Sequence, residues 1–215
     1  MKSIDPISLA LLLAVLALIP LLLVVTSSFL KLSVVMMIVR NAIGVQQVPP
    51  NIALYGLSLV LTLYIMSPVF NQIGVSLRAN PAALSSADTL IKTVAVSVEP
   101  LRAFLKRNAH PNQKQFFLDS VKRMWPPEDA AQVSDSDFLI LMPAFVISEL
   151  NAAFQIGFLL YLPFVVIDLV VSNILLALGM MMVSPTTISL PLKLFLFVMV
   201  DGWTRMLQGL VLSYA

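Results

Sequence analysis

The block RNAIGVQQVPPN, residues 40–51, is a polar segment that ends in two prolines and an asparagine and separates two long apolar runs. Arg40 opens the block, and Gln46 and Gln47 stand side by side within it. Glutamine amides both donate and accept hydrogen bonds. Two interpretations are open: an ordinary loop stopped by proline, or a surface that binds another subunit.

The composition is that of a membrane protein. The chain has 215 residues, of which 59% are hydrophobic and 11% are charged, and its mean hydropathy is +0.95. Soluble domains carry about 25% charged residues. Residues 78–137 hold 15 of the 24 charged side chains, so the polar part is confined to one segment. Both signs of charge are mixed in that segment, which gives no basic patch for nucleic acid.

Hydropathy predicts four apolar segments: about 7–27, about 52–72, one within 138–183, and about 189–213. A helix that crosses a membrane needs roughly 20 apolar residues. As a single helix, residues 138–183 would reach about 69 Å. We therefore expect two helical pieces there, or one long bent element that leaves the lipid. The first run is expected to be a retained helix because it is longer than the apolar core of a signal peptide.

The segment 78–137 is predicted to form two helices outside the bilayer. Apolar residues recur in its first half at the three- and four-residue spacing of one amphipathic helix: Leu90, Val94, Val98, Leu101 and Leu105. A second helix is expected around Phe116–Met124, ended by Pro126 and Pro127. The predicted fold is all-α: hydrophobic helical hairpins of a membrane-associated complex, residues 1–77 and 138–215, with a small polar helical domain inserted at 78–137.

The positive charges of the short connections predict the orientation in the membrane. Connection 28–51 carries Lys31 and Arg40 without an acid, and connection 184–193 carries Lys193 without an acid. Short loops rich in Lys and Arg face the cytoplasm. The polar segment and both termini are therefore expected on the opposite side.

Four charged residues fall inside apolar segments: Glu149, Asp168, Asp201 and Arg205. A charge at the bilayer centre costs about 2.5–3.5 kcal/mol on insertion scales, so each needs a partner or a wet cavity. Asp201 and Arg205 are four residues apart and are predicted to pair on one helix face. Glu149 and Asp168 are expected to find partners on other helices or subunits.

Two alternative functions remain open at these charges. Glu149 and Asp168 would form the ionisable path of a proton-coupled transporter or ion channel. An intramembrane enzyme would use Asp201, but such an enzyme needs a second catalytic aspartate nearby.

Small residues recur every four positions in the third apolar segment, in two series: Ala144, Ser148 and Ala152; and Glu149, Ala153 and Gly157. Small residues at this spacing let two helices approach closely. The pattern predicts tight helix packing, within one chain or between chains.

Three methionines, Met180, Met181 and Met182, lie between Gly179 and Pro185. Neighbouring residues of a helix point about 100° apart, so the three cannot share one face. The flanking glycine and proline indicate a loop or helix end. Either these side chains face lipid or core, or they form a compressible apolar constriction that blocks ions by dewetting.

The sequence offers no catalytic or metal-binding motif. It has no cysteine, and its one histidine, His110, precedes a proline in a polar stretch and is expected at the surface. Signatures of zinc proteases, serine hydrolases and nucleotide-binding loops are missing. No catalytic residue, cofactor or metal is therefore expected.

The chain resembles the SctR/FliP family, the export-gate proteins of bacterial type III secretion systems and flagella. The resemblance lies in short motifs along nearly the whole length: VTSSFLKL at 25–32, RNA at 40–42, PPN at 49–51, YGL at 55–57, MSPV at 66–69, PAF at 143–145, SEL at 148–150, FQIGF at 154–158, LPF at 162–164, IDLV at 167–170 and GMMM at 179–182. Residues 44–55 resemble the injectisome branch.

The resemblance implies a pentameric ring of copies that is joined by two other small export-apparatus membrane proteins. This assembly would enclose a pore for unfolded secreted proteins, in the bacterial inner membrane, in contact with lipid and raised toward the periplasm. It implies that Met180, Met181 and Met182 form the gasket of the closed pore. It also implies a protein with no enzymatic activity. Eight polar residues are expected at subunit interfaces or at buried polar positions: Lys31, Arg40, Gln46, Gln47, Glu149, Asp168, Asp201 and Arg205.

Overall fold

The computed structural model describes residues 6–45, 47–79 and 87–215. All regular secondary structure in these residues is helical: α1 Pro6–Thr26, α2 Phe29–Ile43, α3 Asn51–Arg78, α4 Ala87–Ser97, α5 Glu99–Asn108, α6 Pro111–Met124, α7 Pro127–Ala130, α8 Phe138–Ala177, α9 Pro185–Met199 and α10 Gly202–Leu212. The all-α prediction is confirmed. Of the described helices, α3 and α8 are long and apolar enough to cross a membrane, and up to four spans result if each bent pair, α1–α2 and α9–α10, counts as one.

Helix α2 occupies most of the segment that was predicted as connection 28–51, so that prediction is wrong. Its buried face recurs at helical spacing and is almost inaccessible to water: Leu32, Val35, Met36 and Val39. Lys31 and Arg40 lie on this helix, and Lys193 lies inside α9 instead of the predicted connection 184–193. These charges are therefore not loop charges, and the orientation derived from them stays a prediction.

Helix α8 is one continuous helix of 40 residues, so of the two expected alternatives the single long element is present and the division into two pieces does not occur. At about 1.5 Å per residue it is about 60 Å long, roughly twice the hydrocarbon thickness of a bilayer. The helix continues through Pro143 and Pro163.

The chain divides into two compact units. The first takes its described residues from Met1–Leu30 and Thr62–Glu149. Phe104 and Phe145 are buried in this unit, with their ring centroids 5.7 Å apart. A second cluster joins the end of α6 to α7 and the start of α8: Val121, Ala130 and Ile140, with Phe117 and Val133 against them. The guanidinium of Arg102 lies 4.8 Å from the ring centroid of Phe138.

The amphipathic pattern predicted from Leu90 to Leu105 is divided into α4 and α5. The break falls at Val98, and Pro100 follows within the first turn of α5. Proline has no backbone N–H and restricts the residue before it, so it fits the first turn of a new helix and not a helix interior. The second predicted helix is confirmed as α6, which ends before Pro126.

The second unit comprises Lys31–Leu61 and Leu150–Ala215. In this unit α8 packs so closely on α2 that a Cβ added to Gly157 would lie 2.6 Å from Ile38 Cδ1. This is the tight packing that the small-residue pattern predicted, and at Gly157 it occurs within the chain. Helices α9 and α10 meet at an angle of 59°. Gly202 lies so close to the ring of Phe197 that a larger residue has no room there.

Candidate functional site

The methionine segment is an exposed turn between α8 and α9. Gly179, with φ 72°, ends α8 in the left-handed conformation that glycine adopts without steric cost. The backbone N–H of Met180 donates to Leu175 O at 2.9 Å, which closes the end of the helix. Met180 is 43% exposed, Met181 82% and Met182 101%. Among the described residues nothing packs on Met182, so this segment is a loop whose thioethers are available to another molecule.

A buried lysine ties α9 to α8 and α2. Lys193 Nζ donates to Asp168 Oδ2 at 2.6 Å and to Ala42 O at 3.2 Å. Ser189 Oγ donates to the other oxygen of the same carboxylate at 2.7 Å. The Lys193 side chain is 7% exposed and that of Asp168 is 38% exposed. Asp168 thus finds its partner on another helix of the same chain, and the pair joins the two helices that flank the methionine turn.

Arg40 fixes the return of the chain from α2 to α3. Its Nη1 donates to Pro49 O at 3.2 Å and to Asn51 Oδ1 at 2.6 Å. Gln47 lies on this turn with φ 62° and is exposed. Gln46 lies outside the described residues. The polar block is therefore held from within by Arg40, while Gln47 faces outward.

Lys31 and Glu149 are both buried. Lys31 is 4% exposed, and its Nζ lies 3.6 Å from the ring centroid of Tyr214, near the end of α10. A desolvated ammonium over an aromatic face is attracted by about 2 kcal/mol or more. Glu149, in the first third of α8, is 3% exposed. Both residues therefore occupy buried positions within the chain.

The predicted pairing of Asp201 with Arg205 is wrong. Asp201 precedes α10 in the left-handed conformation, with φ 52°, and both side chains are exposed. The ion pairs found among residues 6–45, 47–79 and 87–215 do not include these two. The i,i+4 rule assumes that both residues lie within one helix, and the break between α9 and α10 removes Asp201 from it.

Within the described part of the chain, no three His, Asp or Glu side chains stand close enough to hold a metal ion. His110 is exposed, as expected, and its Nδ1 accepts a hydrogen bond from the backbone N–H of Asn112 at 3.3 Å. Its role at the start of α6 is structural.

Sequence reasoning missed Lys193 as a site residue. Its signal was available, because Lys193 and Asp168 are lone opposite charges in separate apolar segments and each requires a counter-charge. It missed Tyr214 as well. Tyr214, at the next-to-last position of the sequence, lies in no pattern that indicates a contact with a residue 183 positions earlier.

Apolar helices with buried charges, a polar helical segment and two to four candidate spans define an all-α, membrane-associated protein. Comparison with known proteins makes the class specific. The chain belongs to the FliP family, whose family model matches residues 12–210.

Three relatives illustrate the similarity. The chain is 53% identical to "Harpin secretion protein HrcR" of Erwinia amylovora, over 99% of this chain and 98% of that protein. It is 51% identical to "Yop proteins translocation protein R" of Yersinia pestis, over 98% and 97%. It is 47% identical to "Virulence protein YscR" of Salmonella typhimurium, over 98% of each.

Proposed function

We propose that this chain is a core subunit of the export gate of a type III secretion system, and that it forms a pore through which unfolded proteins cross the bacterial inner membrane. The observation that carries the proposal is the family match over residues 12–210, together with relatives at about half identity that are named for secretion and translocation. In this proposal the subunit binds its neighbours, lines the pore and seals it, and we assign it no catalytic step.

The surface of α8 supports an assembly with other subunits. From Phe154 onward the helix exposes large apolar side chains, including Phe154 at 60%, Phe158 at 62% and Leu159 at 66%. Exposed apolar area of this kind is covered by lipid or by protein. We propose that further copies in a pentameric ring, and other small membrane proteins of the export apparatus, cover much of it.

The seal is the methionine turn. In a ring, one turn from each copy reaches the central axis, and the exposed thioethers of Met181 and Met182 meet there. A narrow apolar constriction excludes hydrated ions by dewetting. Methionine is unbranched and has three rotatable side-chain bonds, so the same side chains can rearrange around a passing polypeptide of varied composition.

The gate is tested in secreting cells by replacing Met180, Met181 and Met182 together with alanine. We expect increased leak of small ions, because alanine leaves the constriction wide enough to stay hydrated. Met124→Ala is the matched control, since Met124 is 78% exposed at the end of α6, far along the chain from the turn. Unchanged ion leak and unchanged secretion in the triple variant would overturn the assignment.

The assembly is tested separately by native mass spectrometry of the chain, extracted in mild detergent after co-expression with its neighbouring membrane genes. A ring of identical copies that carries other small hydrophobic subunits is expected. A monomer or simple dimer without partners would favour a self-contained transporter and would overturn the ring.

A further inference from the structure

A small apolar cavity lies at the bend between α9 and α10. Its volume is about 260 Å³, and its walls come from α2, α8, α9 and α10 of the second unit. Phe164, Phe197 and Met206 form its buried side, and Val200 lies on its exposed side. Ligand pockets usually measure 300–1,000 Å³. The cavity therefore fits one flexible apolar chain better than a whole compact ligand.

A single charge stands in this apolar lining. Of the described residues that line the cavity, only Arg205 is charged, and its side chain is exposed. It forms no ion pair with the described residues, and Asp201 does not line the cavity. An unpaired guanidinium beside an apolar cavity complements a molecule with an anionic head and an apolar tail. A guanidinium donates two parallel hydrogen bonds to a phosphate. The phosphate of an anionic lipid keeps its negative charge for Arg205, whereas the headgroup ammonium of a zwitterionic lipid neutralises that charge.

The character of α10 supports an interfacial position. Its polar residues Thr204, Arg205 and Gln208 are exposed, while Met206 and Leu210 are buried. Trp203 packs edge-on against Phe197 at 5.5 Å between ring centroids. Tryptophan and arginine are enriched where the bilayer meets water, and an amphipathic helix that departs from the direction of its neighbour lies at that level.

We infer that the cavity binds an acyl chain of an anionic phospholipid, whose phosphate is held by Arg205. The acyl chain enters between Val200 and Phe164, and the headgroup stays at the exposed end of Arg205. This site goes beyond the export function and does not depend on it. It requires only that the second unit is in contact with a bilayer.

The test is native mass spectrometry of the full-length chain in mild detergent, titrated with phosphatidylglycerol or with phosphatidylcholine. The wild-type chain is expected to bind phosphatidylglycerol in preference. Arg205→Gln is expected to weaken phosphatidylglycerol binding by about tenfold, the loss for one charge-assisted hydrogen bond, and to remove the preference. Arg205→Lys, which keeps the positive charge, is expected to retain part of the preference for phosphatidylglycerol.

Two further variants separate the site from general effects. Arg123→Gln removes a positive charge from the exposed end of α6 and is expected to leave the preference unchanged. Val200→Phe fills the cavity from its exposed side and is expected to reduce the binding of both lipids. Equal binding of the two lipids by the wild-type chain, or a preference that persists in Arg205→Gln, overturns the proposal. A co-purified polypeptide that Val200→Phe displaces also overturns it, because the occupant is then a protein.

Discussion

Replacing Lys193 with methionine removes the ammonium that links α9 to Asp168 and to Ala42 O, and it leaves a side chain of similar length. Removing one member of a buried ion pair costs about 3–5 kcal/mol, because the other charge stays without compensation. The Asp168 side chain is 38% exposed and keeps its hydrogen bond from Ser189, so water and Ser189 recover part of that cost. We expect the free energy of unfolding to fall by about 2–3 kcal/mol, which lowers Tm by about 4–12 °C in a chain of this size.

The assay is thermal unfolding of the purified chain in detergent, with a double-mutant cycle of Lys193→Met and Asp168→Asn. The matched control is Lys106→Met, which removes a lysine whose Nζ lies 3.9 Å from Asp135 Oδ2 in a pair that is 50% and 58% exposed. Exposed pairs contribute about 0–1 kcal/mol. A loss at Lys193 no larger than that at Lys106, or a coupling energy below about 0.5 kcal/mol in the cycle, would refute the reasoning.

Two further substitutions test local packing and the turn after α2. Gly157→Ala is expected to lower the free energy of unfolding by about 1–2 kcal/mol, because its Cβ collides with Ile38 and overpacking outweighs the gain in helix propensity. Gly209→Ala is the control in thermal unfolding, since a Cβ there meets nothing within 4 Å, and it is expected to stabilise by about 0.5–1 kcal/mol. Arg40→Met is expected to speed limited proteolysis between residues 44 and 50, because Pro49 O and the Asn51 side chain lose their hydrogen-bond donor. Arg123→Met is the control and is expected to be cleaved at the rate of the wild-type chain. Cleavage of Arg40→Met at the wild-type rate would contradict this prediction.

The helices that hydropathy predicted are present. Hydropathy missed α2, which contains two charged residues. Residues 29–43 carry Lys31 and Arg40, and charges near the ends of an apolar run resemble a loop. Lys31 contacts the Tyr214 ring at the far end of the chain. A contact between residues so far apart has no local pattern, so the sequence shows the charge of Lys31 but not the ring that it contacts.

The site residues divide in the same way. The methionine turn was predictable, because Gly179 and Pro185 mark its ends locally. The sequence predicted that Asp168 has a partner, because a charge in an apolar segment is costly without a counter-charge. It did not predict that this partner is Lys193. The pairing of Asp201 with Arg205 failed because a spacing rule was applied across a helix break, which the turn-forming dipeptide Asp201-Gly202 marks.

A seal that must open and close needs side chains that can rearrange, which we call the tip, on helices that are held rigidly, which we call the frame. In the second unit the tip is Met181 and Met182, and the frame is α2, α8 and α9. The frame is stiff because Lys193 joins three helices at once and Gly157 lets α8 sit directly on α2. The tip is soft because Met181 and Met182 are almost fully exposed and the described residues pack little on them.

If the methionine turn is the proposed gasket, loosening the frame and shortening the tip should have different effects. Lys193→Met should lower the stability of the subunit, whereas alanine at Met180, Met181 and Met182 should increase ion leak while Tm stays within about 2 °C of the wild-type value, because exposed side chains contribute little to folding. Ion leak and Tm measured on both variants separate a defective gate from a defective fold.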